Sequence, residues 1–304
     1  MKPRSSAAVA VLALALTATA CSSGSDEAAD KPVGGKSGVN EPSLPTYKVA
    51  EDVTIDSPTL KRAQEKGKLV IGAKSDQPGL GFEDKDGKRS GFDIEIAKMI
   101  AADLGFSPDQ IQFKTVDTSA REAAISSGQV DLFVGTYTIN DERKKLVGFA
   151  GPYYTAGADL LVRRDDGTIG GPFSLQGKTV CSVTGSTAIR EIKKPDYNTT
   201  TVETAKYGEC VEKLLAKQVD AVTTDDAILM GYAAQRPKDL KVVGSPFTEE
   251  PYGIGMAKND KALREAVSDA IEKHDENGDH KKAYDATLGL SGSKYGGASM
   301  VDRY

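Results

Sequence analysis

Ile125-Ser126-Ser127-Gly128-Gln129-Val130-Asp131 and Leu214-Leu215-Ala216-Lys217-Gln218-Val219-Asp220 are one pattern written twice: an apolar helix end, a polar turn, and the same Gln-Val-Asp step into a strand. A helix-to-strand unit repeated within one chain is read most economically as two similar lobes. Beyond the first copy, the run Val130 to Val134 is short, β-rich and closed by Gly135. Thr136-Tyr137-Thr138-Ile139-Asn140-Asp141-Glu142-Arg143 then opens from the carboxyl end of that strand, the edge at which open α/β sheets hold ligands. Asn140 is placed to cap the segment that follows. One turn in, Arg143 carries a planar fork that matches a carboxylate through two parallel hydrogen bonds. The competing reading is of ordinary strand-edge threonines and a solvated helix charge, and the surrounding chain decides between them.

Around these copies the pattern alternates. Strands are predicted at Lys68 to Ala73 and Ile111 to Val116, and helices at Gly91 to Leu104 and Ala120 to Ser127; Phe92, Ile96, Ile100 and Leu104 share one face. After the strand Ala158 to Arg163 a second set begins. It has strands at Thr179 to Val183, Thr200 to Glu203 and Asp220 to Thr223, and helices at Ser186 to Lys194, Glu209 to Lys217 and Ala227 to Gln235. A strand at Tyr252 to Ala257, a charged helix from Lys261 to about Asn277 and another near Lys281 to Leu288 close the fold. Successive βα units of this kind make mixed, mostly parallel sheets flanked by helices.

The 304 residues, 39% hydrophobic and 27% charged, allow one large domain or two lobes with a sizeable core. A net charge of −5 and the lack of any basic stripe argue against nucleic acid as a partner. Residues 1–20 have the layout of an export signal, with Lys2 and Arg4, an apolar run from Ala7 to Leu16, and small residues up to Ala20. Their removal takes the net charge to −7. Leu16-Thr17-Ala18-Thr19-Ala20-Cys21 resembles a bacterial lipobox, which would make Cys21 a lipidated first residue; Ala18 stands where leucine is commonest, and plain secretion with a leftover thiol is the alternative. Residues 21–52 are poor in large apolar side chains and read as a flexible tether, and 291–304 as a Gly- and Ser-rich flexible tail. Cys181 and Cys210 remain, and in an exported chain they are read as a disulfide, the alternative being two buried thiols. His274 and His280 lie among Lys, Glu and Asp and are assigned to solvent. No Cys or His cluster has metal-ligand spacing, so neither a metal nor a cofactor is expected.

Seven motifs, in order, resemble the polar-amino-acid solute-binding proteins of ABC importers (family 3), and within them the bacterial glutamate-binding lipoproteins. They are Asp76 to Gly81, Gly91 to Glu95, Thr136 to Asn140 with Arg143, Gly151 to Tyr154, Cys181 to Thr187, Asp220 to Asp225, and Tyr252 to Gly255. The resemblance implies a two-lobed, type II periplasmic-binding-protein-like α/β fold. Residues 53–155 with 251–290 would form the first lobe and 156–250 the second, joined near Thr155 to Ala158 and Glu250 to Tyr252. It implies that Thr138 and Arg143, with Thr136, Ser186 and Thr187, hold a ligand α-carboxylate, and that Asp225 takes the α-ammonium. Lys74 and Arg121, beside Thr118, and Tyr207 across the cleft would reach a side-chain carboxylate. Many members place an aromatic ring near Gly79; Gly79-Leu80-Gly81 here favours a compact polar side chain and leaves Phe82 as a candidate wall.

The expectation is therefore a monomeric, lipid-anchored protein on the extracellular face of the cytoplasmic membrane, capturing L-glutamate for an ABC permease without catalysis. Alternatives are a glutamine, aspartate or general polar amino-acid binder, a sensory module, and a cyclohexadienyl-dehydratase-like enzyme on the same fold. The enzyme would need a cleft acid free of ligand charge, and Asp225 is already committed.

Overall fold

The repeated Gln-Val-Asp step has the same job in both halves. In the computed structural model, which describes residues 43–297 and 299–304, the Asp131 N–H donates to the Val70 carbonyl (2.8 Å) and Asp131 Oδ2 accepts from the Val70 N–H (2.9 Å). Asp220 repeats both bonds on Thr179, each at 2.8 Å. Each aspartate thus pegs the incoming strand in register against the strand that opens its half. The turn before it needs a left-handed residue, supplied by Gly128 (φ +68°) and Lys217 (φ +58°).

In the first half the elements are α1 (Pro58–Glu65), β1 (Leu69–Ala73), β2 (Asp76–Gln77), β3 (Gly81–Glu83), β4 (Arg89–Ser90), α2 (Phe92–Asp103), β5 (Ile111–Thr115), α3 (Arg121–Ser126), β6 (Leu132–Phe133), α4 (Asp141–Lys144) and β7 (Gly148–Ala156). The second half holds β8 (Ala158–Arg163), β9 (Thr179–Val183), α5 (Thr187–Ile192), β10 (Thr200–Thr204), α6 (Tyr207–Leu215), β11 (Ala221–Asp225), α7 (Asp226–Gln235) and β12 (Leu240–Val243). The chain then returns through β13 (Glu250–Met256), α8 (Lys261–Glu276) and α9 (Asp279–Asp285). The two large sheets have matching orders, β5-β1-β6-β13-β7 and β10-β9-β11-β8-β12. In each, two pairings are parallel and two antiparallel, a larger antiparallel share than a mostly parallel sheet would have, because β13 and β7, like β8 and β12, run back against their neighbours. Strands β2 to β4 form a small separate sheet.

Burial follows from these layers. Helix α2 is buried nearly all round, with Ile94 and Met99 enclosed as fully as Phe92, Ile96 and Ile100. Each such side chain stabilises the fold by about 1.5–3 kcal/mol relative to exposure. In α8, Leu263, Val267, Ala270 and Ile271 recur at helical spacing and are buried, while the charged face stays outside. That charged face hid the histidines. His274 and His280, expected in solvent, are both buried: His274 lies between the carboxylates of Asp103 and Asp279 (3.1 and 3.2 Å), and His280 bonds the Tyr153 carbonyl (2.7 Å) and the Tyr295 hydroxyl (2.8 Å).

Two segments expected to be loose are seated on the first half. Tyr47 donates to Glu95 and Ala50 to the Ala102 carbonyl, so the end of the expected tether lies on α2. The tail runs beside β7 and α8: the Phe149 N–H donates to the Tyr304 hydroxyl, the Asp302 N–H to the Gly151 carbonyl, and Arg303 reaches Glu265, Asp269 and Glu272. Its aromatic and charged ends, Tyr295, Arg303 and Tyr304, find partners despite the glycines between them. The export signal, Cys21 and residues 22–42 lie outside the described residues.

Cys181 on β9 and Cys210 on α6 form the expected disulfide, with Cα atoms 5.5 Å apart and a sequence separation of 29. It fastens the helix that begins at Tyr207 to the strand that leads to Ser186. Closing a loop of that length removes denatured-state entropy worth about 3–4 kcal/mol. The double variant Cys181→Ala with Cys210→Ala is expected to lose stability of that order in urea titration; unchanged stability would show that the bridge does not form in the folded protein.

Candidate functional site

Six strands end at one cleft. Lys74 follows β1, Thr118 and Arg121 follow β5, and Thr136, Thr138 and Arg143 follow β6; in the second half Ser186 and Thr187 follow β9, Tyr207 follows β10, and Asp225 ends β11. This is the carboxyl edge of both sheets, where side chains converge as strands give way to loops.

The loop after β6 is held in an uncommon shape. Thr136 has φ +44°, left-handed for a β-branched residue, and its hydroxyl donates to Gln77 Oε1 (3.1 Å). Beneath it Asp93 is wholly buried and accepts from the Tyr153 hydroxyl (2.8 Å). Burial pushes the Asp93 carboxyl up to about 6, against the Tyr153 hydroxyl and the Thr136 backbone, which favour its charged form. The residue after Thr136, Tyr137, is fully buried and packs in the core with Phe133 and Phe149. Its ring supports both arginines, with guanidinium carbons 4.4 Å (Arg121) and 5.1 Å (Arg143) from the centroid.

Those arginines are almost completely buried. Arg121 donates to the carbonyls of Thr118 (2.9 Å), Thr136 (3.4 Å) and Gly185 (3.4 Å). Arg143 donates to the carbonyls of Thr138 (2.7 Å) and Gly185 (3.2 Å), with Glu122 3.5 Å from its Nε. A guanidinium carries five donors, so each keeps N–H groups for an anion. Burial, and after it the charge of Arg121, push Arg143 down to about 10. Two like charges out of water are held here mainly by neutral carbonyls, an arrangement that favours an incoming carboxylate.

Across the cleft Asp225 is equally buried. Its Oδ2 accepts from the Tyr252 hydroxyl (2.6 Å), while Oδ1 has no hydrogen-bond partner among the described residues. Burial, then the nearby Glu250, raise its carboxyl to about 7. A buried oxygen left in this way costs on the order of 1–3 kcal/mol, which a bound cation would recover.

Nine of the ten sequence-assigned residues line a single narrow cleft with Ile228: Thr118, Arg121, Thr136, Thr138, Arg143, Ser186, Thr187, Tyr207 and Asp225. Lys74 lines the adjoining crevice, which shares Thr118 and Tyr207. Its ammonium donates to the Val116 carbonyl (3.2 Å) and to Thr118 Oγ1 (2.6 Å), and burial followed by Arg121 lowers it to about 7. With that hydroxyl oxygen accepting from Lys74, the Thr118 proton is free to point into the cleft. Phe82 is not among the lining residues. Ser186 caps α5, its Oγ accepting from the Ile189 N–H (3.0 Å). Thr138 and Thr187, expected to donate to a ligand carboxylate, donate instead to Glu250 Oε2. Glu250, Glu122, Tyr137 and Tyr252 were not assigned from sequence.

The halves meet elsewhere too. The Tyr232 hydroxyl donates to the Asp76 carbonyl, the Gly208 N–H reaches Asp76 Oδ2 (3.3 Å), and a Cβ on Gly231 of α7 would lie 2.1 Å from the Pro78 carbonyl oxygen.

Two α/β lobes joined by crossing strands, with charged side chains from both lining one cleft, define a two-lobed binding-protein fold. The chain belongs to the bacterial extracellular solute-binding proteins, family 3, whose model matches residues 69–289. It is similar to the glutamate-binding protein GluB of Corynebacterium efficiens, 39% identical over 76% of this chain and 82% of that one. It is also similar to a glutamine-binding protein of Geobacillus stearothermophilus, 38% identical over 67% of this chain and 78% of the relative. Among solved structures, an ancestral arginine-binding protein bound to glutamine superposes with a TM-score of 0.69 at 35% identity, covering 73% of this chain and 98% of that one.

Gly231→Val places carbon where the Pro78 carbonyl sits, without touching the cleft lining, and is expected to hold the lobes apart. Small-angle scattering should give the variant a larger radius of gyration than the wild type; equal radii would contradict that contact.

Proposed function

We propose that the cleft captures a free acidic amino acid, L-glutamate, and that closure of the lobes presents it to an ABC permease. The observation that carries the reading is the opposition of buried charges across one cleft: Arg121 and Arg143 on the first lobe, and Asp225 with an unpartnered oxygen on the second. A zwitterion taken out of water needs both ends paired. In this reading Arg143 takes the α-carboxylate and Asp225 the α-ammonium. Arg121 and the Lys74-backed Thr118 hydroxyl take the side-chain carboxylate, with Tyr207 lining the same end. The likeness to GluB supports glutamate, and the likeness to a glutamine-binding protein keeps glutamine as the second reading. Lys74 separates them, because a side-chain amide gains far less than a carboxylate from a neighbouring ammonium. Affinity arises because the two lobes contact the ligand together only when shut. The placement on the outer face of the cytoplasmic membrane, through a lipid on Cys21 and the tether that follows it, belongs to the same proposal, as do the monomeric state and a purely binding role.

Calorimetric titration with glutamate and glutamine across pH tests it. Glutamate affinity is expected to peak near pH 7. On the acid side Asp225 must lose a proton before it can pair the ammonium, so affinity falls by about tenfold per pH unit. On the alkaline side Lys74 must gain one before it supports the carboxylate, so affinity falls again, and glutamine lacks this alkaline limb. Lys74→Met should abolish the preference for glutamate, and Arg143→Ala should abolish binding of both. Glutamine binding as tight as glutamate in the wild type would overturn the acidic reading.

A further inference from the structure

Glu250 stands first in β13, where the chain re-enters the first sheet, and its carboxylate is buried. Its Oε2 accepts from Thr138 Oγ1 and from Thr187 Oγ1, both at 2.7 Å, and its Oε1 accepts from Thr248 Oγ1 (2.9 Å). Thr138 belongs to the first lobe and Thr187 to the second, so one oxygen gathers a hydroxyl from each wall of the cleft. A carboxylate only accepts hydrogen bonds, and a hydroxyl has a single proton to give. Both threonine protons are therefore spent on Glu250, and what each hydroxyl keeps for the cleft is a lone pair. Thr138 and Thr187 line the cleft together with Asp225, whose Oδ1 is the unpartnered buried oxygen. Thr118 is set the other way, because Lys74 donates to its oxygen and leaves its proton free.

We propose that Glu250 is a positioning residue that turns Thr138 and Thr187 into acceptors, so that with Asp225 they form a subsite for a cationic amine and against neutral or anionic groups there. The inference rests on the reading of the cleft as an amino-acid site and deepens it. The carboxylate end is left to Arg143 and its neighbours, and the two threonines move from the carboxylate end to the ammonium end. Because the bonds on Oε2 come from both lobes, opening must break one of them. Recognition of the amine and closure of the cleft thus draw on the same carboxylate.

The test compares L-glutamate with glutarate, the same diacid without the amine, by calorimetry on the full mature chain. The wild type should bind glutamate far more tightly than glutarate. In Glu250→Ala neither Thr138 nor Thr187 keeps the carboxylate oxygen it donates to, so both hydroxyl protons are free to turn back towards the cleft. Glutamate affinity should then fall by roughly 10- to 100-fold, the worth of a charge-assisted hydrogen bond, while glutarate changes by about twofold or less. Thr187→Val leaves Glu250 in place and should show the same selective loss, so the test stands even if Glu250→Ala does not fold. Equal losses for the two ligands, or an unchanged ratio, would reduce Glu250 to a hinge-building residue and overturn the proposal. A wild type that binds neither ligand would instead remove the amino-acid reading, and this inference with it.

Discussion

Two guanidinium groups buried side by side set the terms for this molecule. Arg121 and Arg143 rest over the ring of Tyr137 and are surrounded largely by backbone carbonyls, with the Glu122 carboxylate beside Arg143, so their charge is solvated but only partly neutralised. Holding them there requires Tyr137 to be fixed in the core, Thr136 to accept a left-handed backbone, and Asp93 to be buried under that turn. The first lobe is a scaffold for this arrangement. Its strands end together, and its helices cover the sheet that presents them.

The second lobe supplies the opposite sign. Gly185 places its carbonyl against both arginines, Asp225 stands opposite, and Glu250 bonds hydroxyls from the two walls with a single oxygen. The disulfide ties β9 to α6, the strand that leads to Ser186 and the helix that begins at Tyr207. Each set of buried charges is only partly paired within the protein: Glu122 lies 3.5 Å from Arg143, and the Tyr252 hydroxyl reaches one oxygen of Asp225.

Much of this was legible in the chain. The double Gln-Val-Asp step exposed the two-lobed plan because the aspartate peg is local chemistry, repeated wherever the same turn meets a strand. Thr136, Thr138 and Arg143 were legible because they follow a short β-rich run; the other cleft residues were named through the resemblance to a known family. Strand β7 was not legible, since Gly151 and Pro152 interrupt its pattern, and β2 to β4 are too short to have one. His274 and His280 were misplaced because the charged face of α8 and the residues around α9 masked a buried one. Glu250, beside Glu249 and Pro251, reads as surface charge at a strand end. Only the fold shows that hydroxyls separated from it by more than 60 and 110 residues in sequence arrive at its carboxylate.

A crystal structure of the mature protein grown with L-glutamate addresses the central claim most directly. The account predicts the α-ammonium at hydrogen-bond distance from Asp225 Oδ1, with the Thr138 and Thr187 hydroxyls facing it and the α-carboxylate on the Arg143 fork. An amino acid seated away from both Arg143 and Asp225, or turned so that its ammonium faces the arginines, would contradict it.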